Sequence, residues 1–205
     1  MLPDPRNLVA QLANLHRETV ARWHDAALDN PYQGLWAVVC QQHQFNFLLW
    51  HEEDIARSPD APNERIAEVK RAIDRYNQQR NDWIEKIDEA LIQLLAADDW
   101  APRTGARLNT ETPGSAIDRL SILALRTYHL EEELARNDSD AAQRAKVAER
   151  VERCRVQHAD LSRSLVELLD DIFSGRKLLK VYRHMKMYND PTLNPYLYGS
   201  RRLAG

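Results

Sequence analysis

Several polar and ionisable side chains fall where the helical pattern of the sequence requires apolar ones, and together they could bind or transform an anion. Over residues 35–57 such side chains recur at spacings of three and four, which places them on one face of a predicted helix. Burying a polar group without a partner costs roughly 1–3 kcal/mol on mutational scales. The stripe therefore belongs either to a paired network or to the lining of a pocket. Its members are His43, Asn46, Trp50, Glu53, Asp54 and Arg57.

Other predicted helices contribute polar residues in the same way. Asn77, Arg80 and Asn81 interrupt the apolar seam of the third, a stripe of the fourth joins Asp118 to His129, and His158 lies on the seam of the fifth. A network that only fixes helix register usually needs one or two such residues, so the larger number favours a pocket. Histidine titrates near neutral pH, which suits acid–base chemistry. The predicted catalytic residues are His43, Asp118 and Glu53, and the predicted ligand-binding residues are Asn46, Trp50, Asn77, Arg80, Ser115, Arg119 and His129.

The loop at residues 109–115 leads into the helix that carries Asp118 and Arg119. The free amides and the positive dipole end of a helix N-terminus suit a phosphate or a carboxylate, to which Arg119 could add a charge-assisted contact. The competing interpretation is that Thr112 or Ser115 is an ordinary N-cap and Pro113 an ordinary first-turn residue.

Metal binding is a further alternative. Helical di-iron sites use Glu-x-x-His pairs, and this sequence contains none. It contains the reverse order, a histidine followed three residues later by a carboxylate, as His51 with Asp54 and His129 with Glu132, and a pair three residues apart can chelate in either order. Surface ion pairs are the more frequent meaning of this spacing. We therefore predict no metal ligands and name no cofactor, and a carboxylate–histidine metal enzyme stays an alternative.

The elements that must position these residues are all helices. Apolar residues at spacings of three and four, interrupted by Pro, Gly and Asn turns, predict five helices in an elongated antiparallel all-α bundle. The second is apolar nearly all round and should be the most buried. We expect a bundle domain at residues 1–175 and a tail at 176–205. The helices are predicted at about 5–27, 35–57, 64–97, 115–136 and 141–174.

Composition excludes several classes of protein. The chain of 205 residues has only 6 Gly and 3 Phe, which disfavours a β-sandwich, a barrel and a Gly-looped nucleotide fold. No nucleophile-elbow, Walker or dinucleotide-binding motif occurs, no signal peptide is visible, and no apolar stretch is long enough to span a membrane. Cys40 and Cys154 are interpreted as buried thiols. We expect a cytoplasmic protein.

Charge and apolar pattern indicate possible partners. Residues 176–205 contain seven basic residues, one acidic residue and four tyrosines, so this tail carries +6 and the remainder −9. The tail could bind an anionic partner or fold back over the acidic body, and the second interpretation is favoured. We expect no nucleic-acid partner. The apolar seam of the fifth helix continues for 26 residues, longer than the fourth helix can cover, which predicts a homodimer.

Three segments resemble a known family: QHQFNFLLWHEED at residues 42–54, TPGSAIDRLSI at 112–122 and KMYNDPTLNP at 186–195. Their combination is similar to the bacterial domain-of-unknown-function family 4254. The resemblance covers about residues 31–196 and implies a mostly helical bacterial protein. It also implies a link to lipopolysaccharide and other glycan synthesis, because genes for such proteins occur near genes for those pathways. It supplies no catalytic residues, so the predicted site rests on the polar stripes.

The leading hypothesis is a protein that binds, and as an enzyme would turn over, a small anionic metabolite such as a sugar phosphate or a nucleotide sugar. Arg80 and Arg119 would hold the anion. The rival hypothesis is a non-catalytic interaction protein, in which the long seams dock a second copy or a glycan-assembly enzyme and the polar stripes are a structural network.

Overall fold

The protein is an all-α bundle. The computed structural model describes residues 1–136, 138, 140–185 and 192–193, and within these residues it contains α-helices and no β-strand. The predicted all-α fold class is confirmed, and each predicted helix is present with its ends displaced by at most two residues. The helices are α1 Pro5–Asp25, α2 Gly34–Ala56, α3 Asn63–Ala96, α4 Pro113–Ala135 and α5 Ala141–Phe173.

The helix ends follow local chemistry. The Thr112 side chain caps α4 by accepting a hydrogen bond from the Ser115 amide at 3.2 Å, and Pro113 occupies the first turn. The helix α5 ends two residues before Gly175, which has φ of 75°, a conformation that residues other than glycine rarely adopt. The helix α3 begins one residue before its predicted start, and its N-cap Pro62 offers no side-chain acceptor.

Two helical hairpins form the bundle, α2 with α3 and α4 with α5. The first helix lies across α4, α5 and α2. The helix α2 therefore touches α1, α3 and α4, and its residues Val39, Cys40, Gln42 and His43 are completely buried. A polar side chain at such a buried position of α2 must accordingly find its partners inside the protein. The main core also contains Leu12, Ile87, Ile117, Leu120, Leu125, Leu165 and Leu169.

The apolar seam of α5 is covered by the chain itself. Val151, Cys154, Leu165 and Ile172, spread along most of the helix, are all buried in the single chain. The surplus seam on which the predicted homodimer rests is therefore largely used within the protein, and the homodimer stays a prediction. Cys40 and Cys154 are buried free thiols, as predicted.

The first part of the basic tail lies against acidic side chains of the bundle. Arg176 and Lys177 pair with Asp171 at the end of α5, and Arg183 pairs with Glu85 and Glu89 of α3. The remainder of the predicted tail, residues 186–191 and 194–205, lies outside the described residues. Among the described residues, no helix combines the length and the hydropathy that a membrane span requires.

Candidate functional site

The centre of the predicted site is the carboxylate of Asp118, which is nearly inaccessible to solvent, with 4% of its surface exposed. Oδ1 accepts hydrogen bonds from Gln42 Nε2 at 2.7 Å, Asn46 Nδ2 at 2.9 Å and Arg80 Nε at 2.7 Å. Arg80 Nη2 binds Oδ2, so the guanidinium holds the carboxylate with two parallel bonds. Three helices, α2, α3 and α4, thus meet at one ion pair.

A directed chain of hydrogen bonds continues from this ion pair into the core. Asn46 Nδ2 also donates to Ser121 Oγ at 2.8 Å, and Ser121 Oγ lies 2.6 Å from His43 Nδ1. His43 Nε2 lies 3.2 Å from the carbonyl oxygen of His16, which can only accept. His43 therefore carries its proton on Nε2, and Nδ1 accepts the proton of the Ser121 hydroxyl. The three donors in this series of hydrogen bonds, Asn46, Ser121 and His43, each have an acceptor.

The inner end of this series of hydrogen bonds is inaccessible to solvent. His43 and His16 are completely buried, and their ring centroids are 4.5 Å apart. Burial lowers the pKa of His43 to about 3, and burial together with the neighbouring His43 ring holds the pKa of His16 well below its usual value. Both rings are consequently neutral at physiological pH. A proton on Nδ1 of His43 would face the Ser121 hydroxyl, which would then have to accept this hydrogen bond instead of donating it.

An open cavity of about 350 Å³ adjoins the outer end of the network, between α2, α3 and α4. Asn46 and Arg80 belong both to the network and to the cavity wall. The wall carries three guanidinium groups, one carboxylate and one indole. Its residues are Asn46, Leu49, Trp50, Glu53, Arg57, Asn77, Arg80, Ile122, Leu125 and Arg126.

The structure brings together most of the sequence-predicted site. Asn46, Trp50, Glu53, Asn77 and Arg80 line this one cavity. The predicted catalytic residues His43 and Asp118 lie behind its wall, in the buried network.

Arg119 and Ser115 lie elsewhere. Arg119 is exposed and lines a different cavity of about 610 Å³ between α4 and α5, which it shares with Arg126. Ser115 lies at the N-terminus of α4, where Thr112 already binds its amide.

The N-terminus of α4 is occupied by a side chain of the protein itself. Asp88 Oδ1 accepts a hydrogen bond from the Gly114 amide at 2.7 Å, in a buried contact between α3 and α4. Burial raises the pKa of Asp88 to about 6. Of the two interpretations of this loop, the structure therefore favours the capped helix start, because Asp88 takes the position that a bound phosphate would need.

The predicted ligand-binding residue His129 lies in a second polar cluster. Its ring stacks on Trp50, with centroids 4.9 Å apart, and it meets His24 of α1 and His51 of α2. One ring nitrogen of each of these three histidines lies within 4.8 Å of the others. Among the described residues, this is a group with the composition of a metal site.

Gln42, His16 and His24 were not predicted as site residues. Gln42 shares the helical spacing of Asn46 and Glu53, a signal that was available. His16 and His24 lie on α1, beside the apolar positions that identify this helix. The histidines that they meet are 27 residues or more away along the chain, and spacing within one helix does not reveal such pairs.

No curated protein and no solved structure matches the chain. The model of the family described as a protein of unknown function (DUF4254) matches residues 36–181. This range includes α3, α4 and α5 and nearly all of α2. It therefore contains the cavity wall, the buried network except His16, and two of the three clustered histidines. The predicted resemblance is thus confirmed, and the chain belongs to the DUF4254 family of proteins of unknown function.

Proposed function

We propose that the chain binds a small anionic metabolite, a sugar phosphate or a nucleotide sugar, in the cavity between α2, α3 and α4. The observation that carries this proposal is the guanidinium of Arg80, which a buried carboxylate holds in place at the cavity wall. Arg57 and Arg126 line the same cavity. A positively charged side chain held in advance by Asp118 loses little conformational freedom when an anion binds.

The other wall residues suit a sugar or a base. Trp50 presents an aromatic ring with both apolar and polar atoms, and Asn77 is a half-buried amide that can donate and accept hydrogen bonds. Ligand pockets usually measure roughly 300–1,000 Å³. A cavity of about 350 Å³ is near the lower limit. It suits a sugar phosphate, and the nucleoside part of a nucleotide sugar would extend beyond it.

The three predicted catalytic residues take different roles in this proposal. Glu53 is the carboxylate of the cavity wall and the proposed acid–base residue. Asp118 and His43 are positioning residues, since Asp118 holds Arg80 and Asn46, and His43 closes the chain behind Ser121. The low pKa of His43, caused by burial, supports this division, because the ring does not exchange a proton near neutral pH.

The biological setting is part of the same proposal. Nucleotide sugars and sugar phosphates are the activated precursors of glycans, so a binding protein for them fits bacterial cell-envelope glycan synthesis. The cytoplasm, where such precursors are made, is the proposed location. The homodimer predicted from the seam of α5 is tested separately by the mass of the protein in solution, against 23.8 kDa for one chain.

Isothermal titration with glucose 1-phosphate, UDP-glucose and inorganic phosphate tests the proposal. Arg57→Gln and Arg126→Gln remove exposed charges and should leave the fold intact. A hydrogen bond to a charged group contributes about 1.5–3 kcal/mol, so each change should weaken binding roughly 10- to 100-fold. Arg71→Gln, an exposed arginine of the same helix as Arg80, is the matched control and should bind like the parent.

Arg119→Gln separates the two cavities. Weaker binding in this variant with no effect of Arg57→Gln would place the ligand between α4 and α5 instead. Binding of none of the three probes, or an equal loss in the Arg71 control, would contradict the proposal and favour the interaction protein.

A further inference from the structure

We propose that His24, His51 and His129 form a binding site for one divalent transition-metal ion, with zinc as the best-suited metal. The site joins the last turn of α1, the C-terminal part of α2 and the second half of α4. None of the three histidines lines the anion cavity, and the site does not depend on the proposed function.

The first support is the arrangement of the three rings. Their centroids lie 5.2 Å apart for His24 and His51, 5.0 Å for His24 and His129, and 5.6 Å for His51 and His129. A tetrahedral zinc ion bound by three imidazoles at about 2.05 Å places the ring centroids about 5.2 Å apart. The rings already form this nearly equilateral triangle. They are inclined to one another by 66–80°, as separate ligands of one ion would be.

The second support is the state of the ring nitrogens. Nε2 of His24, of His51 and of His129 is buried, and none of the described residues offers it a hydrogen-bond partner. A buried polar atom without a partner is uncommon in a native structure, and a bound ion is one of its ordinary explanations. Three such atoms in one cluster supply the ligand set of a His₃ metal site.

The third support is that the hydrogen bonds of His24 and His129 determine which ring nitrogen can bind an ion. His24 Nδ1 lies 2.8 Å from the carbonyl oxygen of Val20, and His129 Nδ1 lies 3.0 Å from a carboxylate oxygen of Glu132. Both partners accept, so Nδ1 carries the proton in each ring and Nε2 keeps its lone pair for the ion. An imidazole that donates its other N–H to a carbonyl or a carboxylate is the usual outer shell of a metal ligand.

Aromatic neighbours hold the rings. Trp50 stacks on His129 at 4.9 Å and 9°, and Tyr128 stacks on His24 at 4.3 Å and 22°. One nitrogen of each ring lies within 4.8 Å of the others, compared with about 3.3 Å between the ligand atoms of a tetrahedral zinc site. Because the centroids already have the required spacing, modest rotations of the rings close this difference.

Imidazole nitrogen suits zinc, copper, iron and nickel, and zinc accepts three protein ligands with an open fourth position. His51 and His129 are the histidines of the two reversed pairs in the sequence. In the structure, Glu132 of the second pair binds the histidine instead of the ion. The ligand set is therefore three histidines, with a carboxylate in the outer shell.

Titration of the untagged full-length chain with ZnCl₂, after dialysis against a chelator, tests the site. We expect one zinc ion per chain. His24→Ala, His51→Ala and His129→Ala should each raise the dissociation constant at least about 100-fold, while Glu132→Gln should raise it about 10- to 100-fold. His158→Ala removes a half-buried histidine outside the cluster, and Glu131→Gln removes the exposed carboxylate beside Glu132. Both controls should bind zinc like the parent.

A second measurement keeps the proposal testable where a variant fails to fold, as circular dichroism would show. X-ray absorption of the zinc-loaded parent should show three imidazole ligands at about 2.0–2.1 Å. Failure to bind zinc, binding that survives all three alanine changes in folded variants, or a shell of oxygen or sulfur ligands would overturn the assignment. Loss of anion binding with intact zinc binding would overturn only the proposed function.

Discussion

Replacing Asp118 by Asn is the most direct test of the buried network. The carboxylate accepts four hydrogen bonds, two of them from Arg80, and its side chain is 5% exposed. An asparagine keeps the shape but has a single acceptor oxygen, and its amide group would face a donor. The variant therefore loses the ion pair and leaves the charge of Arg80 without a partner.

The cost follows from the burial of the two partners. Breaking a buried ion pair by removing one partner costs about 3–5 kcal/mol. The Arg80 side chain remains 26% exposed and can recover some hydration, which places the expected loss near the lower limit, at about 3 kcal/mol. In a domain of this size each kcal/mol lowers Tm by about 2–4 °C, so the expected decrease is roughly 6–12 °C.

Urea unfolding at pH 7 measures this loss against a matched control. Asp74→Asn breaks an exposed pair with Lys70 four residues away on α3, and it should cost less than about 1 kcal/mol. The double variant Arg80→Gln with Asp118→Asn should recover part of the loss, because neither charge is then left alone. A loss below about 1 kcal/mol in Asp118→Asn would refute the reasoning, since the carboxylate would not be holding Arg80.

Three further predictions concern stability. Burial gives His43 a pKa of about 3 in the folded state, against about 6.5 in the unfolded state. Between these pH values the unfolded state binds one more proton, so stability falls as pH drops below 6.5. The fall is about 1.4 kcal/mol per pH unit for this residue, and His43→Gln should remove that part of the slope in urea titrations at pH 7, 6 and 5. The contribution of Asp88 to stability changes with pH in the opposite direction, because burial raises its pKa to about 6 and the protein loses stability as this carboxyl ionises. Asp88→Asn should therefore raise Tm at pH 7 and change it little below pH 4. Gly114→Ala should lower the free energy of unfolding by about 1–3 kcal/mol, since the added Cβ would lie 2.5 Å from the Ile84 carbonyl oxygen. An unchanged urea midpoint would contradict this close packing of α4 on α3.

Much of the fold was predictable because helical periodicity is local information. The predicted ends of α2, α3 and α5 agree with the structure to one residue, since apolar spacing and the Gly, Pro and Asn turns determine them together. The polar stripe of α2 was visible for the same reason. Its residues Asn46, Trp50 and Glu53 line the cavity, which follows from their sharing one face.

The partners of the stripe were not predictable, because they depend on the relative position of helices. Asn46 and Asp118 are 72 residues apart, and only the packing of α2 on α4 brings them together. The stripe also does not show which member is open to solvent. His43 and Glu53 occupy comparable places in the sequence pattern, yet His43 is completely buried and Glu53 lines a cavity.

The two candidate sites lie along one seam between α2 and α4. Gln42 and Asn46 meet Asp118 towards the start of both helices, whereas His51 meets His129 further along both of them. Asp118 and His129 are eleven residues apart, which is about 16 Å along a helix. Effects at sites more than about 7–10 Å apart with no shared partner usually add independently. A change at the buried network should therefore lower stability without changing zinc affinity. A change at the histidine cluster should lower zinc affinity without removing the stability that the network provides. Trp50 departs from this independence, because it lines the anion cavity and stacks on His129.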